Sequence, residues 1–245
     1  MELVLKQQKV LTAAECDMMG AWRPDAILTC MQETAGAHSA AFGLTRAYMD
    51  GLGICWVLSR QKVVLLRTPR VYEEITVETY PLPQRLLFFP RVHVFKDKDG
   101  EEIGYACALW ALMDMKERKL TASEEVSSRL PRVAGLKNPA GLPGTVRMPE
   151  GAQIEESLIA PRFTELDLNR HVNNTKYLSW CQDALGIDCM KEKEIASFQI
   201  NYDAEVLPGV QVTARLLRDG EAFVFCGSDG DKALFSVDGV LRERK

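Results

Sequence analysis

The sequence predicts an α+β fold made of two fused units, each a long helix laid on an antiparallel sheet. Three observations carry that expectation. An apolar helical pattern is followed by strand-like blocks separated by turn residues, the pattern of one helix packed on a sheet. The same order of elements recurs downstream. Between the copies lies a stretch rich in proline and glycine. The expected organisation is residues 1–115 as the first unit, 116–152 as a linker and 153–245 as the second unit.

Taken in order, residues 2–12 alternate weakly and read as a strand. Pro24 suits the first turn of a helix, where its missing N–H has no partner to lose. That helix runs through Ile27, Leu28, Met31 and Ala35. The small-sided run from Gly36 through Ala37, Ala40 and Ala41 to Gly43 leaves room beside it, either for a ligand or for close packing on a sheet. Strands follow at 54–66, 71–80 and 86–95, with Pro90 marking an edge or bulge. Asp97-Lys98-Asp99-Gly100 makes a turn into a fourth strand, 103–113. Thr121 and Glu124 have capping-box spacing for a short helix. Pro131, Pro139, Pro143 and Pro149, with Gly135, Gly141, Gly144 and Gly151, then mark the linker.

The second unit repeats the first at a spacing of 150 residues, from Asp17 to Asp167 and from Gly36 to Gly186. Later the spacing drops to 135, from Ile75 to Val210, so the first copy holds about 15 extra residues around Leu44–Gly53. Its closing strands are punctuated by Asp219-Gly220, Asp229-Gly230 and Asp238-Gly239.

The most informative stretch is Asp167 to Tyr177. Asp167, Asn169 and His171 alternate, so an extended backbone would present an acid, an amide and an imidazole on one side. Asn173 or Asn174 can cap the helix that follows, whose apolar stripe is Tyr177, Trp180, Cys181, Ala184 and Leu185, with Gly186 as the stop. The start of that helix carries free amides and a positive partial charge, suited to an oxyanion. Opposite Asn169 and His171 the first copy has Met19 and Ala21, and opposite Glu205 it has Arg70. Only the second copy carries the polar set.

Composition narrows the function. A formal net charge of −4 argues against a nucleic-acid binder. The 7 cysteines are scattered without a Cys-x-x-Cys pair, which fits reduced thiols in the cytoplasm and no zinc site. No Gly-rich phosphate loop and no ligand-spaced His/Cys cluster occurs, so neither a metal nor an organic cofactor is expected. The N-terminal MELVLKQQKV does not read as a signal peptide, and no apolar run approaches the roughly 18 residues of a membrane span.

The run Leu166–Trp180, LDLNRHVNNTKYLSW, resembles the signature of the plant-type acyl-acyl carrier protein thioesterases. Trp56-Val57 with Arg60 and then Pro69 resemble that family's first-half strand, and Tyr202–Val206 resembles its Tyr-Arg-Arg-Glu-Cys segment. The resemblance spans nearly the whole chain. It implies a double hotdog fold and hydrolysis of fatty acyl-acyl carrier protein, which ends fatty-acid elongation. It implies Asp167, Asn169, His171 and Glu205 as the catalytic residues, with no cofactor. Glu205 would act as general base with His171 as its partner or as an oxyanion donor, the order between the two staying open, and Asp167 would orient the set or attack as a nucleophile. Val206 stands where the family has Cys, which removes a thiolate nucleophile there; Cys181 and Cys189 lie nearby in sequence. The first unit would hold the acyl tail, with Ala37, Ala40 and Ala41 on its wall, and Arg170 and Lys176 would meet the acidic carrier protein. The internal repeat would act as a pseudo-dimer in a monomer, or the chain would form a homodimer. An acyl-CoA thioesterase uses the same chemistry. A non-catalytic acyl-binding regulator on this fold would need an added DNA-binding module, for which residues 1–16 leave no space.

Overall fold

The computed structural model describes residues 3–131, 135–147 and 154–244. Contacts divide the chain into two compact units. One contains Thr29–Pro143 and the residues up to Trp22, the other Arg23–Leu28 and the residues from Gly144 onward.

The first unit begins with β1 (Leu5–Val10) and a single 3-10 turn (Ala13–Glu15); the long helix α1 (Pro24–Ala41) follows, its start up to Leu28 grouped with the second unit and the rest with the first. After α2 (Arg46–Gly51) come β2 (Ile54–Leu65), β3 (Glu74–Pro81), β4 (Phe88–Asp97) and β5 (Glu102–Asp114), then β6 (Leu120–Thr121) and α3 (Glu124–Arg129). The second unit holds β7 (Glu155–Ile159), another 3-10 turn (Phe163–Glu165), α4 (Lys176–Leu185), α5 (Ile187–Glu192), β8 (Lys193–Tyr202), β9 (Val212–Asp219), β10 (Ala222–Asp229) and β11 (Lys232–Glu243). Strand order is β1-β3-β4-β5-β2 in the first unit and β7-β9-β10-β11-β8 in the second, with every neighbour antiparallel. The two orders are the same permutation of corresponding strands, so the repeat read from sequence is a repeat of topology.

Local chemistry accounts for the boundaries. Gly100, Gly220 and Gly230 take positive φ at the hairpin turns, where a Cβ would be strained. Pro90 lies one residue beyond the β3–β4 ladder, which ends at Pro81 opposite Arg91, so its missing N–H removes no bond to β3. Gly186 closes α4 at φ 88°. On α4, Tyr177 stacks on Phe235 of β11 at 4.3 Å and 7°, and Leu178, Trp180, Cys181 and Leu185 are buried with it.

Several expectations are corrected. The stretch 116–152 is not a bare linker where it is described. Val126 of α3 is fully buried with Leu44, Met49, Ile54, Phe89 and Leu112, and the Tyr80 hydroxyl donates to the Lys137 carbonyl. Residues 132–134 and 148–153 lie outside the described residues. The cap of α3 is Ser123, which accepts from the Val126 amide, while Thr121 belongs to β6. Asp238-Gly239 is no turn but part of β11. A Cβ on Gly239 would stand 2.6 Å from the Ser197 carbonyl oxygen and 2.4 Å from the Phe223 ring, so glycine is needed there for close packing.

Two of the three histidines lie in the interior of the first unit, His38 on α1 and His93 on β4, beside the buried Arg91. Arg91 donates to His38 Nδ1 at 3.1 Å, and His93 Nε2 meets the Met31 carbonyl at 3.1 Å. Burial, followed by the neighbouring Arg91 cation, pushes the His93 imidazole down to about 3. The unfolded imidazole titrates near ~6.5. Between these values the unfolded chain binds a proton that the folded chain refuses. The stability from a neutral His93 is therefore complete above the unfolded value. It is lost as pH falls toward the folded one, by at most about 1.4 kcal/mol per pH unit. Urea unfolding should show a loss of about 1 kcal/mol from this group between about pH 7 and about pH 5.5. A folded His93→Gln variant should show a correspondingly shallower slope, and equal slopes would refute the assignment.

Candidate active site

The segment expected to be extended is a tight turn. Leu166 and Val172 form an antiparallel bridge, and the Asp167 amide donates to the His171 carbonyl at 2.9 Å. The Arg170 amide donates back to the Asp167 carbonyl at 3.0 Å, and Asp167 Oδ1 accepts from the Asn169 amide at 2.8 Å. Asp167 and His171 thus meet as neighbours across a bend rather than as alternate residues of a strand. Asn169 sits within the bend and is exposed.

The geometry around the imidazole is specific. His171 Nδ1 lies 3.2 Å from its neighbour's carbonyl, that of Val172, and 3.5 Å from Asp167 Oδ2. Two acceptors on that side favour the tautomer with its proton on Nδ1, in which Nε2 keeps a lone pair. Nε2 faces Glu205 Oε1 at 3.9 Å. Side-chain exposure is 19% for Asp167, 21% for His171 and 38% for Glu205, so the set runs from the protein interior toward solvent.

Glu205 reaches this place through its neighbours. The Asp203 and Ala204 amides both donate to the Leu234 carbonyl at 2.9 Å, and the Val206 carbonyl accepts from the Val172 amide at 2.9 Å. Val206 is fully buried. The turn is also tied to α4: Trp180 Nε1 donates to Glu165 Oε1 at 2.9 Å, and the Asn173 amide donates to the Glu165 carbonyl at 2.8 Å. Thr175, not Asn173 or Asn174, is the residue before α4, and it makes no side-chain cap; Asn173 Oδ1 instead accepts from the Thr175 amide and hydroxyl at 3.0 and 2.9 Å in a turn that leads into the helix.

The first unit contains the same bend without the chemistry. Cys16 bridges Trp22, the Asp17 amide donates to the Ala21 carbonyl at 2.8 Å, and Asp17 Oδ1 accepts from Met19 and Ala21 amides, both at 2.9 Å. Gly20, at φ 76°, occupies the place of Arg170, at φ 66°.

Asp167, His171 and Glu205 are therefore brought together, with Asn169 on the same bend. Arg170 is exposed, and Lys176 lies 3.9 Å from Asp25 at the start of α1. Ala37, Ala40 and Ala41 are exposed on α1, whereas Ala35 and His38 are buried, so the three alanines do not line an enclosed pocket. Cys181 is fully buried, and burial pushes its thiol far above the usual range, which removes it as a thiolate nucleophile. Cys189 lies half-buried on α5. Sequence reading missed Glu165 as the partner of Trp180, although a buried indole N–H requires an acceptor. No helix among the described residues is long and apolar enough to cross a membrane.

Two hotdog units in one chain, with a polar set in only the second, define a double-hotdog protein. Residues 2–128 match the acyl-ACP thioesterase N-terminal domain and residues 149–224 the C-terminal domain, so the chain belongs to the acyl-ACP thioesterase family. It is 25% identical to an oleoyl-acyl carrier protein thioesterase of Coriandrum sativum over 197 residues, which is 74% of this chain and 53% of that protein. It is 27% identical to a palmitoyl-acyl carrier protein thioesterase of Arabidopsis thaliana over 221 residues, 83% of this chain and 52% of that one. The chain thus spans about half the length of these curated relatives. Its fold matches the 12:0-ACP thioesterase of Umbellularia californica with a TM-score of 0.85 at 20% identity, covering 100% of this chain and 99% of that one. A putative oleoyl thioesterase of Lactobacillus plantarum matches with a TM-score of 0.84 at 22% identity, over 99% and 97% of the two chains.

The Arg170 backbone is the strained point of the site, since an L-residue in the left-handed region costs about 1–2 kcal/mol. Arg170→Gly should keep or raise stability, by up to ~1 kcal/mol after glycine's entropic cost. Arg170→Val should lower it by ~1–2 kcal/mol, since a β-branched residue tolerates that region least. Urea unfolding of both variants checks this. Equal destabilisation by both would mean that the arginine side chain, not the backbone, matters at this position.

Proposed function

We propose that this protein hydrolyses the thioester of fatty acyl-acyl carrier protein, releasing free fatty acid. The observation that carries this reading is the His171 imidazole set between Asp167 and Glu205, with Nε2 and Oε1 3.9 Å apart. That gap is too long for a direct hydrogen bond, yet a water lying off the line reaches both atoms with ordinary legs of about 2.8 Å. Such a water has two acceptors for its protons, and Asp167 holds the ring in the tautomer that leaves Nε2 available.

The steps follow. Water oxygen forms a bond to the thioester carbon as its proton passes to the His171–Glu205 pair. The carbonyl oxygen gains the charge, and the Asn169 side-chain amide is the donor we assign to it. Collapse breaks the C–S bond, and the thiol of the carrier's prosthetic arm, with a pKa of about 8.5, leaves largely as thiolate and recovers a proton afterwards. One Asp167 carboxylate oxygen accepts an amide and the other faces His171, which supports an orienting role over attack on the carbonyl.

We assign the acyl tail to the first unit, whose matching bend carries Met19 and Ala21 in place of the catalytic side chains. Exposed Arg170 offers positive charge to the acidic carrier. None of the seven cysteines forms a disulfide, which supports a reducing, cytoplasmic setting.

Release of free thiol from acyl-acyl carrier protein, with acyl-CoA as the comparison, tests the reading. Loss of the thioester only with CoA would shift the substrate assignment, and no release from either would overturn it. His171→Ala should lower kcat by ~10²–10⁴ while the protein stays folded, the scale for removing a proton-transfer group. A folded Cys181→Ala/Cys189→Ala double variant should retain most of its activity. Complete inactivation there would restore a cysteine to the mechanism.

A further inference from the structure

The side chains of Asp167, Asn169 and His171 ride on one short loop, residues 166–172, and Glu165 stands at its base. The Leu166–Val172 bridge closes that loop, and the Glu165 carbonyl accepts from the Asn173 amide at 2.8 Å just beyond it. The Glu165 carboxylate has two tasks. Oε2 accepts from the Arg162 amide at 2.7 Å and caps the 3-10 turn, while Oε1 accepts from the Trp180 indole at 2.9 Å. Trp180 lies on α4, is 4% exposed, and packs its ring against Tyr177 and Phe235 at 5.5 and 6.0 Å. A buried indole N–H requires an acceptor, so carboxylate and indole hold each other in place. In the first unit, the 150-residue spacing puts Glu15 and Cys30 in the corresponding places. Glu15 keeps the capping role, its Oε2 accepting from the Thr12 amide at 3.0 Å, but its Oε1 meets Lys9 of β1. The tie from carboxylate to helix is thus made at the loop with the polar set and not at its counterpart.

We propose that Glu165 and Trp180 are a positioning pair for the hydrolytic reaction: their hydrogen bond fixes the loop against α4 and thereby sets His171 at its distance from Glu205. The inference rests on the catalytic reading above, because that distance matters only if a water is activated across it. Asp167 and His171 both lie inside the loop, so their contact at 3.5 Å survives a movement of the loop as a body. Glu205 lies outside it, in the segment after β8. The gap of 3.9 Å between Nε2 and Oε1 therefore joins two separate pieces of chain, and it is the distance that a displaced loop changes. The Val172 amide, bonded to the Val206 carbonyl, gives the loop one fixed point on that side. One point leaves the loop free to pivot; the indole supplies a second and restrains it. A displacement of about 1 Å at reacting groups is enough to cost up to ~10²-fold in rate.

Trp180→Phe removes the N–H and keeps an aromatic ring against Tyr177 and Phe235. Glu165→Ala removes the acceptor and leaves that packing in place, so it tests the same bond should the first variant fail to fold. With acyl-acyl carrier protein as substrate, each should lower kcat about tenfold and hold KM within about twofold of the parent. The double variant should fall less than about twofold below the weaker single one, because the two residues make one bond. A merely structural role would lower the melting temperature and leave kcat unchanged at assay temperatures well below it. Parent-like kcat in either folded variant, an effect confined to KM, or losses that multiply in the double variant would each overturn the proposal. Should the parent release no thiol from any thioester, the hydrolase reading fails. A crystal structure of Glu165→Ala then decides this inference separately: the Nε2–Oε1 gap should depart clearly from 3.9 Å while Nδ1 and Oδ2 stay near 3.5 Å. An unchanged gap, or a loop that loses its inner contact as well, would refute it.

Discussion

The site depends on one carboxylate that is used twice. Asp167 Oδ1 accepts the Asn169 amide and so closes the bend, and Oδ2 of the same group faces the imidazole that the bend delivers. The first contact makes residues 167 and 171 neighbours; the second gives the ring its orientation. Past the bend, the Val172 amide reaches the Val206 carbonyl beside Glu205, while Asn173 turns the chain toward α4. Each later placement inherits the error of the first, so a loose Asp167 would loosen the whole set.

The bend itself is not a catalytic invention. The first unit builds it with the same amide-to-carbonyl bonds around Asp17, and it takes Gly20 where the second takes Arg170. Its origin is therefore structural: it turns the chain from a 3-10 turn toward the central helix in each unit. In the second unit the residue after the bend's left-handed position is His171, and a charged residue stands at φ 66° where the first unit has glycine, which it tolerates only at a cost. The other histidines reinforce the asymmetry. His38 and His93 are buried in the core of the first unit, which leaves His171 as the one imidazole that reaches solvent.

Much of this was legible in the sequence, and the failures have physical causes. Hydrophobic period and turn residues place β2, β4 and β5 within two residues of their observed starts, because a helix or strand must show its buried face in its spacing. The 150-residue repeat survives as topology for the same reason. Composition alone cannot separate a loose linker from a packed one, and Val126 is buried in a stretch that reads as punctuation. Asp238-Gly239 has the letters of a turn, but its glycine answers to the Phe223 ring from a neighbouring strand, a contact no local window contains. The small residues of α1 looked like a space for a ligand; small side chains make that space only on a buried face, and Ala37, Ala40 and Ala41 are on the exposed one. The alternation of Asp167, Asn169 and His171 gave the right residues by the wrong geometry. The matching Gly20 was the available clue, since a glycine aligned with Arg170 points to a left-handed bend.

On the reading we propose, the arrangement favours one class of acyl derivative over others. A base pair that opens toward solvent at Glu205 and is held at Asp167 can take a proton from water. The buried Tyr177 phenol, pushed up to about 12, is a poor donor at neutral pH. An amide or an alkyl ester expels a strongly basic atom and needs a proton donor at the moment of cleavage. A thiol does not, because it departs as thiolate at a pKa of about 8.5. For the hydrolase we propose, a base oriented at Asp167 and paired with Glu205 therefore suits a thioester, whose leaving group makes the least demand for a proton.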